Sequence, residues 1–181
     1  MDKKKKAIVL KVVIVVLLMT NTFLMYQSSK EKKVINNYLD KYYMQLTFKE
    51  DTKLELQEEI NDGLIVIEGK NEENAKDLNH YSVYQNQYDE FITEKLKAEL
   101  VERNMLPNFA LIDFGIENDV ENFKIDNMKF RKKDKNMYEA RYDLLLNDNN
   151  KNKKMVSYDE IFVIKKDNDK LKIDYIGTSL E

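Results

Sequence analysis

The stretch that decides the fold is YEARYDLLL, residues 138–146, because apolar residues recur there at every second position. The residues on this side of the extended chain are Tyr138, Ala140, Tyr142, Leu144 and Leu146. A period of two is typical of a β-strand with one buried face. The polar triplet Asp134-Lys135-Asn136 directly before it predicts a tight turn, and therefore a hairpin with the preceding segment.

That preceding segment alternates with a slip of one residue. Phe123 and Ile125 keep one register, whereas Met128 and Phe130 keep the other. We expect a strand with an extra residue, a β-bulge, near Asp126-Asn127.

Two more strands are predicted after the polar loop 147–154. The apolar residues of the first are Val156, Tyr158, Phe162 and Ile164. Glu160 is the exception on that face. Asp167-Asn168-Asp169 predicts another turn, and the last strand presents Leu171, Ile173 and Tyr175 on one side.

The upstream half of the chain has helical spacing. Ser28 and Glu31 form a capping-box pattern, and the apolar stripe after it consists of Val34, Ile35, Tyr38, Leu39, Tyr42 and Leu46. Thr52 and Glu55 repeat the pattern, and Asn61-Asp62-Gly63 is expected to end that second helix.

Three further elements are expected between these helices and the sheet. The β-branched run Leu64–Ile67 predicts a short buried strand. A long helix is predicted over Glu73–Asn104, ending before Pro107, and its apolar stripe comprises Tyr81, Tyr84, Tyr88, Phe91, Ile92, Leu96 and Leu100. Phe109–Ile116 is expected to be a strand. The fold class is therefore α+β, with helices packed on a curved antiparallel β-sheet, because one apolar sheet face needs a covering layer.

The N-terminus has the pattern of a membrane anchor. Lys3, Lys4, Lys5 and Lys6 precede a segment from residue 7 to 26 whose only charge is Lys11. Twenty helical residues span about 30 Å, the thickness of a hydrocarbon core. Residues of this predicted anchor include Ala7, Val12, Val15, Leu18 and Tyr26.

The predicted organisation is a basic cytoplasmic tail over residues 1–6, an anchor over 7–26 and an extracytoplasmic domain over 27–181. The basic residues before the apolar segment favour a cytoplasmic N-terminus. Two alternatives remain open, a cleaved signal peptide and a buried core helix, although the residues after the apolar run are poor cleavage sites.

Composition excludes several classes of protein. The chain has no cysteine, so disulfides and a lipid-modified cysteine are ruled out. It holds 30 basic and 33 acidic residues; without the five lysines and one aspartate of the first 26 residues, its net charge is about −7. An acidic domain is unsuited to nucleic acid, so we expect no nucleic-acid partner.

No catalytic, cofactor-binding or metal-ligating residue is predicted. His80 is the only histidine, in a polar stretch without a nucleophile motif, and four glycines form no phosphate-binding loop. The loop 148–152 alternates oxygen ligands as calcium loops do, but Lys153 stands where glycine is needed. We interpret it as a solvated hairpin loop.

Tyrosines are the main candidates for a binding site. Tyr38, Tyr42, Tyr43, Tyr81, Tyr84, Tyr88, Tyr142, Tyr158 and Tyr175 could converge between helices and sheet. The residues predicted for a possible pocket are Tyr42, Tyr84, Tyr88, Tyr142 and Tyr158. Core packing is the alternative, since a buried tyrosine needs only a partner for its hydroxyl. Asp40, Asp113 and Asp143 could add acid–base chemistry there, but spacing singles out none of them.

The order of helices, short strand, long helix and antiparallel meander resembles the NTF2-like (cystatin-like cone) fold over residues 28–177. The closing hairpin YDEIFVIKKDNDKLKI, residues 158–173, is similar to the hairpin that ends such domains, with Leu171 where a tryptophan is often found. One anchor followed by such a domain also resembles the VirB8/TcpC class of conjugation-channel subunits and other anchored proteins of Gram-positive bacteria. The resemblance implies a cone that can leave an open pocket.

The expected function is that of a membrane-tethered, non-enzymatic protein-interaction or assembly domain. Its expected location is the cell membrane, single-pass, with the C-terminal domain outside. Its expected partners are the membrane and other envelope proteins or further copies of itself, and no cofactor is expected. The alternatives are a small-molecule-binding or enzymatic cone domain that uses the tyrosine-lined pocket, and a cleaved secreted domain.

Overall fold

The computed structural model describes residues 25–26, 28–68, 82–148 and 153–179. In these ranges the helices come before the sheet. The helices are α1 (28–43), α2 (Glu50–Glu68), α3 (Val83–Asn86), α4 (Glu94–Glu102) and α5 (Phe109–Glu117), and a 3-10 turn, Met44–Thr47, follows α1.

The second half forms a four-stranded antiparallel sheet in the order β1-β2-β3-β4. The strands are β1 (Val120–Asp134), β2 (Met137–Asp148), β3 (Lys153–Asp167) and β4 (Lys170–Thr178). The predicted turns before β2 and after β3 are confirmed. Asn168 and Asp169 both have positive φ, 46° and 64°, as a two-residue hairpin with right-handed strand twist requires.

The bulge predicted in β1 is confirmed. Asp126 pairs with Asp143 but Lys129 pairs with Arg141, so an extra residue lies on the β1 side. Asn127 adopts φ 52° there, a left-handed conformation that asparagine tolerates better than most residues.

A second bulge, in β4, was not predicted. Val163 pairs with Tyr175, whereas Ile164 pairs with Ile173. The extra residue reverses the alternation, so Ile176 packs against the core and Tyr175 is 49% exposed. The prediction that Tyr175 shares the face of Ile173 is therefore wrong.

The core lies between α1 and one face of the sheet. All five alternating residues of β2 are buried, as predicted. Five residues of the apolar stripe predicted for the first helix are also buried: Ile35, Tyr38, Leu39 and Tyr42 on α1, and Leu46 in the 3-10 turn that follows. Glu31, predicted as half of a helix cap, is instead buried with its carboxylate accepting a hydrogen bond from the Tyr138 hydroxyl. Residues 25 and 26, which precede the predicted cap at Ser28, are also helical.

The predicted break after α2 is wrong. Helix α2 continues through Gly63 to Glu68, so Leu64–Ile67 is helical and not a strand. Glycine inside a helix costs only about 1 kcal/mol relative to alanine, too little by itself to end one. A short apolar run cannot distinguish a strand from a helical segment by its pattern.

The predicted long helix over Glu73–Asn104 is also wrong in its described part. Two N-caps divide it: the Ser82 hydroxyl accepts from the backbone of Gln85, and the Thr93 hydroxyl accepts from the backbone of Leu96. Between them Ile92 forms a parallel bridge with Ile173 of β4. The second of the two helices, α4, ends at Glu102, before Pro107 as predicted.

Phe109–Ile116, predicted as a strand, is helix α5. The side chain of Asn108 accepts a hydrogen bond from the backbone N–H of Leu111, at 3.1 Å, and starts the helix. This cap outweighs the apolar run because it satisfies a backbone donor that a helix start leaves unpaired.

The predicted anchor lies outside the described residues except at 25–26. Within the parts of the chain that the structure covers, no helix is both long and apolar enough to cross a bilayer. His80, Tyr81 and residues 149–152 also lie outside the described ranges.

Candidate functional site

A cavity of about 630 Å³ lies between α1, α4, the middle of β3 and the C-terminal end of β4. Helix α1 brings Tyr38, Leu39, Tyr42 and Tyr43 to its wall because these residues lie one helical turn apart. Leu100 of α4 and Leu111 of α5 close the apolar side. The remaining wall residues are Leu96, Glu99, Arg103, Met105, Asn108, Tyr158, Glu160, Tyr175, Ile176, Gly177 and Thr178.

Tyrosine rings surround the inner part of this cavity at varied angles. The Tyr42 and Tyr43 ring centroids are 5.3 Å apart with an interplanar angle of 76°, and Tyr43 lies 5.7 Å from Tyr158. Tyr38 stacks on Tyr42 at 5.8 Å. These separations are those of favourable aromatic pairs, so the rings are held in place without a ligand.

Glu160 projects from the core face of β3 into this aromatic surrounding. Phe162 and Ile164, its neighbours along the same face, are buried. Its carboxylate accepts a hydrogen bond of 2.6 Å from the Tyr142 hydroxyl. That hydroxyl lies 2.9 Å from the Tyr43 hydroxyl. Two tyrosine hydroxyls and one carboxylate thus form a continuous hydrogen-bonded chain.

The burial of this chain changes its proton affinities. Burial raises the pKa of Glu160 above its ordinary value, and the hydrogen bond from Tyr142 lowers it in part. Burial also raises the pKa of the Tyr43 and Tyr142 hydroxyls, and the nearby Glu160 carboxylate raises it further. Both tyrosines therefore remain protonated hydrogen-bond donors at physiological pH.

Asn108 connects the cavity wall to the helices around it. Its side-chain amide donates to the Tyr42 hydroxyl at 2.8 Å, and its backbone N–H donates to the Gln45 side chain at 2.6 Å. The same side chain caps α5. These bonds fix the orientation of Tyr42 relative to the segment that precedes α5.

The structure separates the five predicted pocket tyrosines into groups. Tyr42 and Tyr158 line the cavity, and Tyr142 stacks on Tyr158 at 5.4 Å. Tyr84 and Tyr88 form a neighbouring pair, with hydroxyls 3.0 Å apart, outside the cavity wall. Tyr175 belongs to the wall although it is half exposed.

The three aspartates considered for acid–base chemistry lie away from this cavity. Asp113 pairs with Lys53 at 2.7 Å, and Asp143 accepts hydrogen bonds from Asn127 and Ser157. Asp40 is exposed on α1. Glu160 is the carboxylate that sequence reasoning noted but did not assign, and its signal was its place on an otherwise apolar strand face.

The arrangement offers binding more readily than metal chemistry. It combines apolar walls and tyrosine hydroxyls with the carboxylates of Glu99 and Glu160 and the guanidinium of Arg103. No cluster of three or more potential metal ligands occurs among the residues that the structure describes. Comparisons of the chain with protein families, curated proteins and solved structures gave no match.

Proposed function

We propose that this protein binds a small organic molecule in the cavity between α1, α4 and the sheet. The observation that supports this most directly is a half-buried carboxylate, Glu160, inside a tyrosine-lined cavity of about 630 Å³. Ligand sites are commonly apolar hollows of this size, on the order of 300–1,000 Å³, with a few directed polar groups.

The identity of residue 160 supports a binding role. A leucine at this position would continue the apolar face formed by Phe162 and Ile164. A buried carboxylate destabilises a fold unless its hydrogen bonds and charge are compensated. The Tyr142 hydroxyl supplies one hydrogen bond. A group of this kind, with a shifted pKa in a hollow, is a candidate for function.

A fragment screen on the full chain tests the proposal. We expect ligand-observed NMR to detect fragments that bind the wild-type chain and are lost in Leu111→Trp, where the larger side chain fills a half-buried wall position. Leu54→Trp is the matched control because Leu54 is 48% exposed on α2, away from the wall. Fragments that bind both variants equally, or no binding to the wild-type chain, would overturn the proposal.

The fold identity and the location remain part of the same proposal. Helices that cover one face of an antiparallel meander support an NTF2-like cone. The basic cluster and apolar run of residues 3–26 support a membrane tether that presents the domain outside the cell. The protein-interaction role, with envelope proteins or further copies as partners, stays a prediction, and so does cleavage of the leader.

A further inference from the structure

We infer that the ligand of this cavity is an organic cation, with an alkylated ammonium group held against Glu160 by the surrounding tyrosine rings. This inference rests on the proposed binding function and names its ligand class. Three observations support it: the environment of the Glu160 carboxylate, the geometry of the rings and the charges around the cavity.

The carboxylate lacks a positive partner of its own. Among the described residues, Glu160 forms no ion pair with a lysine or arginine, and its side-chain hydrogen-bond partner is the Tyr142 hydroxyl. A buried negative charge without a cation is costly. A bound ammonium group would supply that charge in place of the missing side chain.

The rings provide a second source of attraction. The face of an aromatic ring carries partial negative charge and attracts a cation within about 6 Å of its centroid. Tyr42 and Tyr43 meet at 76°, and Tyr43 and Tyr158 at 47°, so the three rings do not lie in one plane. Methyl groups on a cation contact such rings well, and an ionised Glu160 would repel a carboxylate placed beside it.

The titratable groups around this cavity are mostly neutral or acidic, and Arg103 is the one cation on its described wall. The others are Tyr38, Tyr42 and Tyr43 on α1, Tyr142 on β2, Tyr158 on β3, Tyr175 on β4 and Glu99 on α4, and Arg103 directly follows α4. Burial raises the pKa of the α1 tyrosines, so they stay neutral. Arg103 is exposed, and Glu99 pairs with Lys95 at 3.7 Å.

Calorimetric titration of the full chain with two compounds tests the inference. One is choline, and the other is the dimethylbutanol in which an uncharged carbon replaces the quaternary nitrogen of choline. We expect choline to bind at least tenfold more tightly. Cation binding requires ionised Glu160, so choline affinity should rise with pH, by up to about tenfold per unit below the pKa of Glu160. Glu160→Gln should keep the Tyr142 hydrogen bond and abolish both the preference for choline and its pH dependence.

Asp143→Asn is the matched control, because it removes the same charge from the opposite face of the sheet. It should leave the preference for choline intact, and circular dichroism should show that both variants fold. Equal affinities for choline and dimethylbutanol would refute the cation while leaving the binding function standing. If neither probe binds but screened fragments do, the ligand class is wrong. If no fragment binds either, the proposed function fails as well.

Discussion

At the scale of the residue, Glu160 is a half-buried carboxylate in the wall of the proposed binding cavity. It is held by one hydroxyl, that of Tyr142, and burial makes its charged form unfavourable. Asp143 follows Tyr142 in the chain but lies on the opposite face of the sheet, and its environment has the opposite effect on its pKa. Hydrogen bonds from Asn127 and then Ser157 lower the pKa of Asp143. The two carboxylates should therefore affect folding with opposite signs.

We predict that Glu160 reduces the free energy of unfolding as the pH rises above 4.5, the ordinary pKa of a glutamate side chain. The folded state holds the proton more tightly than the unfolded state, so raising the pH through this range favours unfolding. Glu160→Gln should remove that decline. Urea unfolding of both chains between about pH 4 and pH 8 measures it.

Asp143→Asn serves as the comparison for this pH series. The contribution of Asp143 is present above its unfolded pKa and is lost as pH falls through its lowered folded pKa. Its replacement should therefore reduce stability at neutral pH and have less effect in acid. If Glu160→Gln and Asp143→Asn change the pH profile in the same direction, the assigned environment of Glu160 is wrong.

At the scale of the element, the packing of α5 on the 3-10 turn depends on one glycine. A Cβ added to Gly115 would lie 2.1 Å from the backbone carbonyl oxygen of Leu46. At Gly177 the nearest atom, 2.5 Å away, is the hydroxyl of Tyr175, the far end of a half-exposed side chain. The first contact requires backbone movement, whereas the second requires only a side-chain rotation.

We predict that Gly115→Ala destabilises the protein by about 2 kcal/mol or more. The helix gains up to about 1 kcal/mol from alanine, but overpacking against backbone costs more than that. Gly177→Ala, the matched control, should cost less than about 1 kcal/mol. The urea concentrations at the unfolding midpoints of the two variants measure this difference in stability. Equal midpoints would contradict the close approach of α5 to Leu46.

The sheet was predictable from sequence because alternation is a local property. Residues 138–146 and the bulge near Asn127 could be read from neighbours along the chain. The helical half was less predictable because its breaks depend on caps and distant contacts. Thr93 interrupts the predicted long helix because its side chain caps the start of α4. Its backbone N–H donates to the carbonyl oxygen of Ile173, which is 80 residues away in the chain.

The candidate site was predictable only in part for the same reason. The tyrosines of α1 were expected near those of the sheet, since both lie on apolar faces. Asn108 and Arg103 lie between the end of the predicted long helix and the start of the predicted strand Phe109–Ile116. The sequence pattern therefore gave no reason to expect them beside Tyr42 and Tyr158. Because α5 is a helix instead, Asn108 caps it and reaches the Tyr42 hydroxyl.

At the scale of the whole molecule, the two faces of the sheet have different surroundings. The helices pack on the face that holds Tyr142 and Phe162, whereas Met155, on the other face, is 62% exposed. The chain has no cysteine, so a single introduced thiol reports unambiguously on location. This makes the predicted orientation across the membrane accessible to chemical labelling.

We predict that Met155→Cys reacts with a membrane-impermeant maleimide on intact cells, because the domain is proposed to lie outside. Asp2→Cys, in the predicted cytoplasmic tail, is the control and should react only after permeabilisation. Gel-shift detection of the labelled chain measures both. Labelling of Asp2→Cys but not Met155→Cys on intact cells, or of neither, would contradict the proposed orientation.

The borders of the sheet have a consequence for solubility at high concentration. On the β4 side, the backbone of Ile173 bonds to Phe91 and Thr93, at 2.8 and 2.9 Å, so part of that border is occupied. On the β1 side, the strand is bent at Asn127 and carries exposed lysines such as Lys124 and Lys129. Bent, charged or capped borders resist the addition of a foreign strand. Crowded copies of this protein should therefore not polymerise into fibrils through their sheets.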